Sequence, residues 1–254
     1  MDARPLVPLI LWANAAGCAQ IATADEWPVP PAASSSGGSS GSSQSGGSGG
    51  SGGAGTCNQT TIDRVHDDFE DDNANLELWN PYAVKGATVD PSDGVLTVGL
   101  VATAGLAYAG FKTLDPYDVR GCAVELAVLS VAGATAPAET YLAFDAQTEP
   151  PTERVMIKAQ GSVLYFQHWG RNGMLSTDEI EYEPKKHRLW RLVVVFGQVA
   201  GQWSEDGSAW IGVGSIEAPP YLASAYVNLG AGTFREAASD PGTARFDDVR
   251  ATQP

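Results

Sequence analysis

The sequence is poor in cysteine, histidine and positive charge. Three cysteines in 254 residues exclude a four-thiolate metal centre, and no two of His66, His168 and His187 have the spacing of a helical zinc motif. Fifteen Lys and Arg against thirty Asp and Glu leave a formal charge of −15. That balance repels phosphate backbones and anionic headgroups, which excludes nucleic acid as a natural partner. No apolar run is long enough to span a bilayer as a stable helix. A Gly-x-Ser-x-Gly elbow, the local mark of one class of serine hydrolase, is also missing. So is any segment with sustained 3.6-residue periodicity and caps, which leaves an all-β sandwich or barrel as the architecture.

The chain begins with features of export and tethering. Arg4 precedes an apolar run from Leu6 to Trp12, and Ala13-Asn14-Ala15-Ala16-Gly17-Cys18 follows. Base, apolar core and small residues in that order make a secretory signal. Its end resembles the lipobox of bacterial lipoproteins, with Ala15 where Leu is usual, and the resemblance implies acylation of Cys18. Ala22-Thr23-Ala24 offers the competing outcome, a small-x-small cleavage site that releases a soluble secreted protein. From Ser34 to Gly55 the residues are almost entirely Ser and Gly, a composition that cannot offset its own ordering entropy. Such a tether spans on the order of 27 Å. The expected organisation is a signal at 1–18, a linker at 19–56 and one domain at 57–254. It places a monomeric domain on the cell envelope as an outer-surface lipoprotein, or else free outside the cell, with membrane contact only through the lipid.

Lipidation of Cys18 would leave an even pair. Cys57 and Cys122 then either join in an oxidising compartment or stand as separate thiols, Cys122 as a small buried apolar residue.

The domain is organised around His187 to Gly214. Leu189 to Phe196 is rich in β-branched and aromatic residues and is bounded by Gly197, so it reads as a strand inside a sheet. The Gln198 to Ser204 segment and, after Asp206-Gly207, the Ala209 to Val213 segment predict two antiparallel neighbours. Further strands are expected at 87–89, 95–98, 108–112, 122–129, 141–144, 155–158, 163–169, 225–229 and 244–249, with hairpin turns at Ser92-Asp93-Gly94 and Arg171-Asn172-Gly173.

Four landmarks in order resemble bacterial concanavalin A-like lectin/glucanase domains. They are Tyr117-Asp118-Val119-Arg120-Gly121, the Tyr182 to Arg191 segment (with Glu183 where many relatives carry Asp), the Ser204 to Trp210 segment and Phe246-Asp247-Asp248-Val249. The resemblance implies a two-sheet antiparallel jelly roll with adjacent first and last strands. It also leaves function open among lectins, glycosidases, adhesion modules and spacers.

The retaining-glycosidase signature of such folds, Glu-x-Asp-x-x-Glu on one strand, is absent. The acidic run Asp178 to Glu183 alternates, and reads as the solvent face of an edge strand. If the terminal strands pair, Asp67, Asp68, Asp247 and Asp248 come together as hard oxygen ligands suited to calcium; otherwise they face water. Sugar binding needs flat aromatic faces and hydrogen-bonding side chains. Tyr165, Gln167 and Trp169 share one strand face, and Gln202 with Trp203 on another segment is expected to meet them in one groove. The expectation is therefore a non-catalytic domain that binds extracellular or envelope glycan. An adhesion module without a sugar site and a hydrolase are the alternatives.

Overall fold

The computed structural model describes residues 56–70, 75–102, 105–133, 137–147, 152–237 and 240–254. The expected export signal, Cys18 and the expected Ser/Gly linker lie outside the described residues.

Two antiparallel sheets face each other. The first, of eight strands, runs in the order β13 (Ile211–Glu217), β12 (Gln198–Ser204), β11 (Leu189–Val195), β6 (Ala123–Ser130), β15 (Thr243–Thr252), β4 (Val95–Gly99) and β3 (Thr88–Ser92), with β1 (His66–Asp67) paired to β15. The second, of seven, runs β10 (Gly173–Glu181), β9 (Val163–Gly170), β8 (Arg154–Gln160), β7 (Ala138–Asp145), β14 (Tyr226–Thr233), β5 (Ala107–Thr113) and β2 (Trp79–Ala83). This is a jelly-roll β-sandwich, and its first and last strands are hydrogen-bonded, Asp67 opposite Val249. The expected antiparallel trio is β11, β12 and β13, in register from Leu189 opposite Ser204 to Val195 opposite Gln198.

Alternation explains why these segments fold as they do. On β11 the side chains of Trp190, Leu192 and Val194 enter the core, while Arg191 between them does not. Trp79, Phe111, Phe144, Phe166, Trp190 and Phe246, all essentially inaccessible to solvent, fill the space between the sheets. Tight turns close the hairpins: Asp93 and Gly94 join β3 to β4, and Phe196 and Gly197 join β11 to β12, each pair with positive φ as primed two-residue turns require.

Two features were not expected. A six-residue helix, α1 (Gln59–Arg64), is capped by the Asn58 side chain, which accepts from the Thr60 amide. Such a short helix leaves no periodic signature to read. Trp79–Ala83, with Pro81 at its middle, forms β2, an edge position where proline is tolerated. A disulfide joins Cys57, just before α1, to Cys122, just before β6.

Candidate functional site

The outward face of the seven-stranded sheet carries an unusual concentration of polar and aromatic side chains. On β7, Ala138, Leu142 and Phe144 face the core. The intervening Glu139, Tyr141, Ala143 and Asp145 therefore project outward, yet all four are buried. Pairing extends this face across the sheet. One row runs Tyr82, Gly110, Gly230, Tyr141, Lys158, Tyr165, Glu179. The next runs Asn80, Lys112, Asn228, Ala143, Met156, Gln167, Thr177. On one side of these lie Tyr226, Asp145, Arg154 and Trp169, and on the other Tyr108, Gly232, Glu139 and Gln160. Glycine is needed under the tyrosines: a Cβ at Gly232 would stand 2.0 Å from a carbon of the Tyr108 ring.

Two ion pairs and a chain of hydrogen bonds knit this face together. Lys158 Nζ meets Glu139 Oε2 at 2.6 Å, and the Tyr108 hydroxyl donates to Glu139 Oε1 at 3.0 Å. Arg154 donates through Nε and Nη2 to the two oxygens of Asp145. Asp145, ionised beside Arg154, can only accept, so the amide nitrogen of Asn228 turns to it at 2.8 Å. The amide oxygen of Asn228 is then left to accept from Tyr82 at 2.9 Å. Having spent its one proton there, Tyr82 accepts from Tyr141, 2.5 Å away. Burial holds both phenols protonated: it pushes Tyr141 up to about 12 and Tyr82 well above the usual range. Burial alone would depress Arg154, but Asp145 outweighs it and the guanidinium stays charged.

Tyr165, Gln167 and Trp169 stand together on this face, alternating along β9. Trp169 donates from Nε1 to Gln167 Oε1 at 3.1 Å and packs with Tyr108 against Tyr141, Ala143 and Met156. Tyr165 and Trp169 keep part of their rings open to solvent, whereas Gln167 is buried.

Gln202 and Trp203 do not join them. Both lie on β12, in the other sheet. Trp203 pairs with Trp190 and packs on the core, with the His187 ring 4.2 Å away and its buried Nε1 without an acceptor. Gln202 points to the far outer face, accepting from Arg191 Nε at 2.7 Å. The hairpin that follows β11 continues its sheet instead of crossing to β9, so the expected single groove does not form from these two residues.

The terminal acids are brought near one another by the β1–β15 pairing, but not as a ligand set. Asp67 is turned inward, accepting from the Trp79 indole at 2.8 Å and the Phe69 amide at 2.9 Å. Asp68 accepts from the Glu70 amide, and Asp248 pairs with Arg250 at 3.1 Å. Asp247 is half-buried, and burial raises its carboxyl above the ordinary value. Among the described residues no three His, Cys, Asp or Glu side chains converge as a metal site.

Glu139, Asp145, Arg154 and Lys158, which complete this face, are not among the site residues expected from the sequence. Glu139 and Asp145 flank the apolar run that marks β7, and the signal that could have found them is their alternation with Tyr141 and Ala143.

Compared with protein-family models and with curated proteins, the sequence matches none. Among solved structures the chain is similar to a prokaryotic β-1,3-1,4-glucanase (lichenase) derived from a mouse hindgut metagenome, with TM-score 0.51 and 12% identity over 74% of this chain and 98% of that one. It is similar to LamA of Zobellia galactanivorans, solved with laminaritriose and laminaritetraose, with TM-score 0.54 and 11% identity over 73% and 96%. A third is an endo-acting O-glycanase of the human gut microbiota that initiates mucin breakdown, with TM-score 0.54 and 12% identity over 74% and 98%. Likeness at such identities shows the fold, and that fold is the concanavalin A-like lectin/glucanase jelly roll.

Proposed function

We propose that the chain is an exported, lipid-anchored surface protein whose jelly-roll domain binds glycan on the outward face of the seven-stranded sheet without cleaving it. One observation carries the reading: Tyr165, Gln167 and Trp169 line up beside a largely buried, hydrogen-bonded network of Tyr82, Tyr141, Asn228 and two ion pairs. Aromatic faces suit the C–H surfaces of pyranose rings, and ordered polar groups suit their hydroxyls. LamA, of similar fold, was solved with oligosaccharides bound.

The two buried acids of this face support a reading without cleavage. Glu139 and Asp145 lie at opposite ends of β7, about 20 Å apart at the rise of an extended strand. Glycosidic acid pairs sit about 5 to 9.5 Å apart. Each carboxylate, moreover, already has both oxygens engaged.

Export is supported by the Arg4 to Cys18 pattern and by a disulfide, which persists in oxidising compartments. Membrane fractionation of Cys18→Ala, expected to move the protein from membrane to soluble fraction, tests the anchor. The binding claim is tested by titrating the full chain with bacterial and plant polysaccharides while following reducing sugar. Binding that Trp169→Ala abolishes without lowering Tm, with no sugar released, is the expected result. Release of reducing ends would overturn the non-catalytic assignment, and no binding to any polysaccharide would overturn the glycan reading. Adding a chelator to the same titration tests whether calcium contributes.

A further inference from the structure

We propose that the site takes an uncharged glycan and discriminates against chains that carry carboxylate or sulfate groups. The inference rests on the glycan-binding reading above and adds the class of sugar. Among the described residues, the outward rows of the seven strands project three cations, Lys112, Arg154 and Lys158, against four acids, Glu139, Asp145, Glu179 and Glu181. An anionic sugar is recognised by Arg or Lys donors that can turn to it. Here both Nε and Nη2 of Arg154 are committed to Asp145, and Lys158 Nζ is committed to Glu139. Lys112 lies over the Tyr226 ring, 4.4 Å from its centroid.

Burial makes those commitments hard to break. Glu139 and Lys158 are each 6% exposed and Asp145 is 1% exposed. Pulling either cation off its acid to meet a sugar carboxylate would strand Glu139 or Asp145 as a buried, unpaired charge, a larger loss than the new pair returns. A hydroxyl makes no such demand. It both donates and accepts, so it adds to a paired network without unpairing it. The net charge of −15 adds long-range repulsion of any polyanion.

The test titrates the full chain with neutral polysaccharides (mixed-linkage β-glucan, galactomannan, arabinoxylan) and with polygalacturonate and a sulfated galactan. At least one neutral chain is expected to bind, and the polyanions at least about tenfold more weakly. Tighter binding of a polyanion overturns this inference and leaves the glycan reading standing. No binding at all removes both. Glu139→Gln provides a second arm, because it releases Lys158 while leaving Tyr108 an amide oxygen to donate to. The folded variant is expected to gain affinity for polygalacturonate; a folded variant that gains none overturns the claim that pairing sets the exclusion. If Glu139→Gln does not fold, salt decides. Affinity of the native chain for its neutral glycan should stay constant from about 0.05 to about 0.5 M NaCl, and a roughly tenfold loss over that range would refute uncharged recognition.

Discussion

Asp145 on β7 is clamped from two neighbouring strands, by the guanidinium of Arg154 on β8, with Nη2 2.8 Å from Oδ2, and by the side-chain amide of Asn228 on β14, also at 2.8 Å. Its side chain is 1% exposed, that of Arg154 22%. Removing the acid alone would leave the cation without its partner. Asp145→Ala should therefore lower unfolding free energy by about 3 to 5 kcal/mol, measured by urea denaturation. An apolar pair, Asp145→Leu with Arg154→Met, removes both charges and should recover most of that loss. Equal destabilisation by the single and double variants would show that shape, not charge pairing, holds this corner.

Gly230 lies where β14 passes beneath the two tyrosines. A Cβ there would stand 2.5 Å from the Ala109 carbonyl oxygen, 2.8 Å from the Tyr82 hydroxyl and 3.1 Å from that of Tyr141. The first contact is backbone and cannot move aside without spreading β5 from β14. Gly230→Ala is expected to cost about 1 to 3 kcal/mol, the usual range for overpacking, and to weaken the proposed glycan binding by breaking the Tyr141–Tyr82 hydrogen bond. Calorimetric Tm and a binding titration on the same preparation check both. A variant with native Tm would show that the close approach carries no strain.

Much of the fold was legible because alternation and turn chemistry are local. Asp93-Gly94 marked the β3–β4 hairpin, and Leu189 to Phe196 marked β11 through its run of branched and aromatic residues. Tyr165, Gln167 and Trp169 could be placed on one face because that requires only period two within a single strand. Which strands adjoin β9 is a question of topology. Trp203 looked like a partner for Trp169, but its strand pairs with β11 and β13. Glu139 and Asp145 stay hidden for a related reason: acids at the ends of an apolar strand read as solvated termini until the next strand is seen to bring Lys158 diagonally to Glu139 and Arg154 directly opposite Asp145.

The disulfide between Cys57 and Cys122 ties the segment before α1 to the segment before β6, at a sequence separation of 65. Closing a loop of that length restricts the unfolded chain by about 4 kcal/mol in the chain-entropy model. The Cys57→Ser, Cys122→Ser double variant should lose stability of that order with its sheet pairing intact. Far-UV circular dichroism and guanidinium denaturation together measure it. A loss under about 1 kcal/mol would show that the unfolded state is already compact at these positions.

His187 predicts how the fold responds to acid. It is buried between the rings of Tyr182 and Trp203, and its Nδ1 accepts the Glu183 amide at 3.0 Å, so the imidazole is neutral with its proton on Nε2. Burial lowers its pKa below the ordinary 6.5, with Glu183 opposing and Lys186 reinforcing the shift. In the unfolded chain the same imidazole takes up a proton as pH drops through about 6.5. The unfolded state then binds the extra proton, and stability falls with falling pH until the folded imidazole is protonated too. The slope from this one group cannot exceed about 1.4 kcal/mol per pH unit. His168, also shifted down by burial, acts in the same direction. Unfolding free energy should therefore be level from about pH 8 to 7 and decline toward about pH 5.5, a range that stays above the carboxylates. In His187→Gln, which keeps an acceptor for the Glu183 amide without the titration, the decline should be shallower but still present through His168. An unchanged slope would mean that His187 remains free to charge inside the fold.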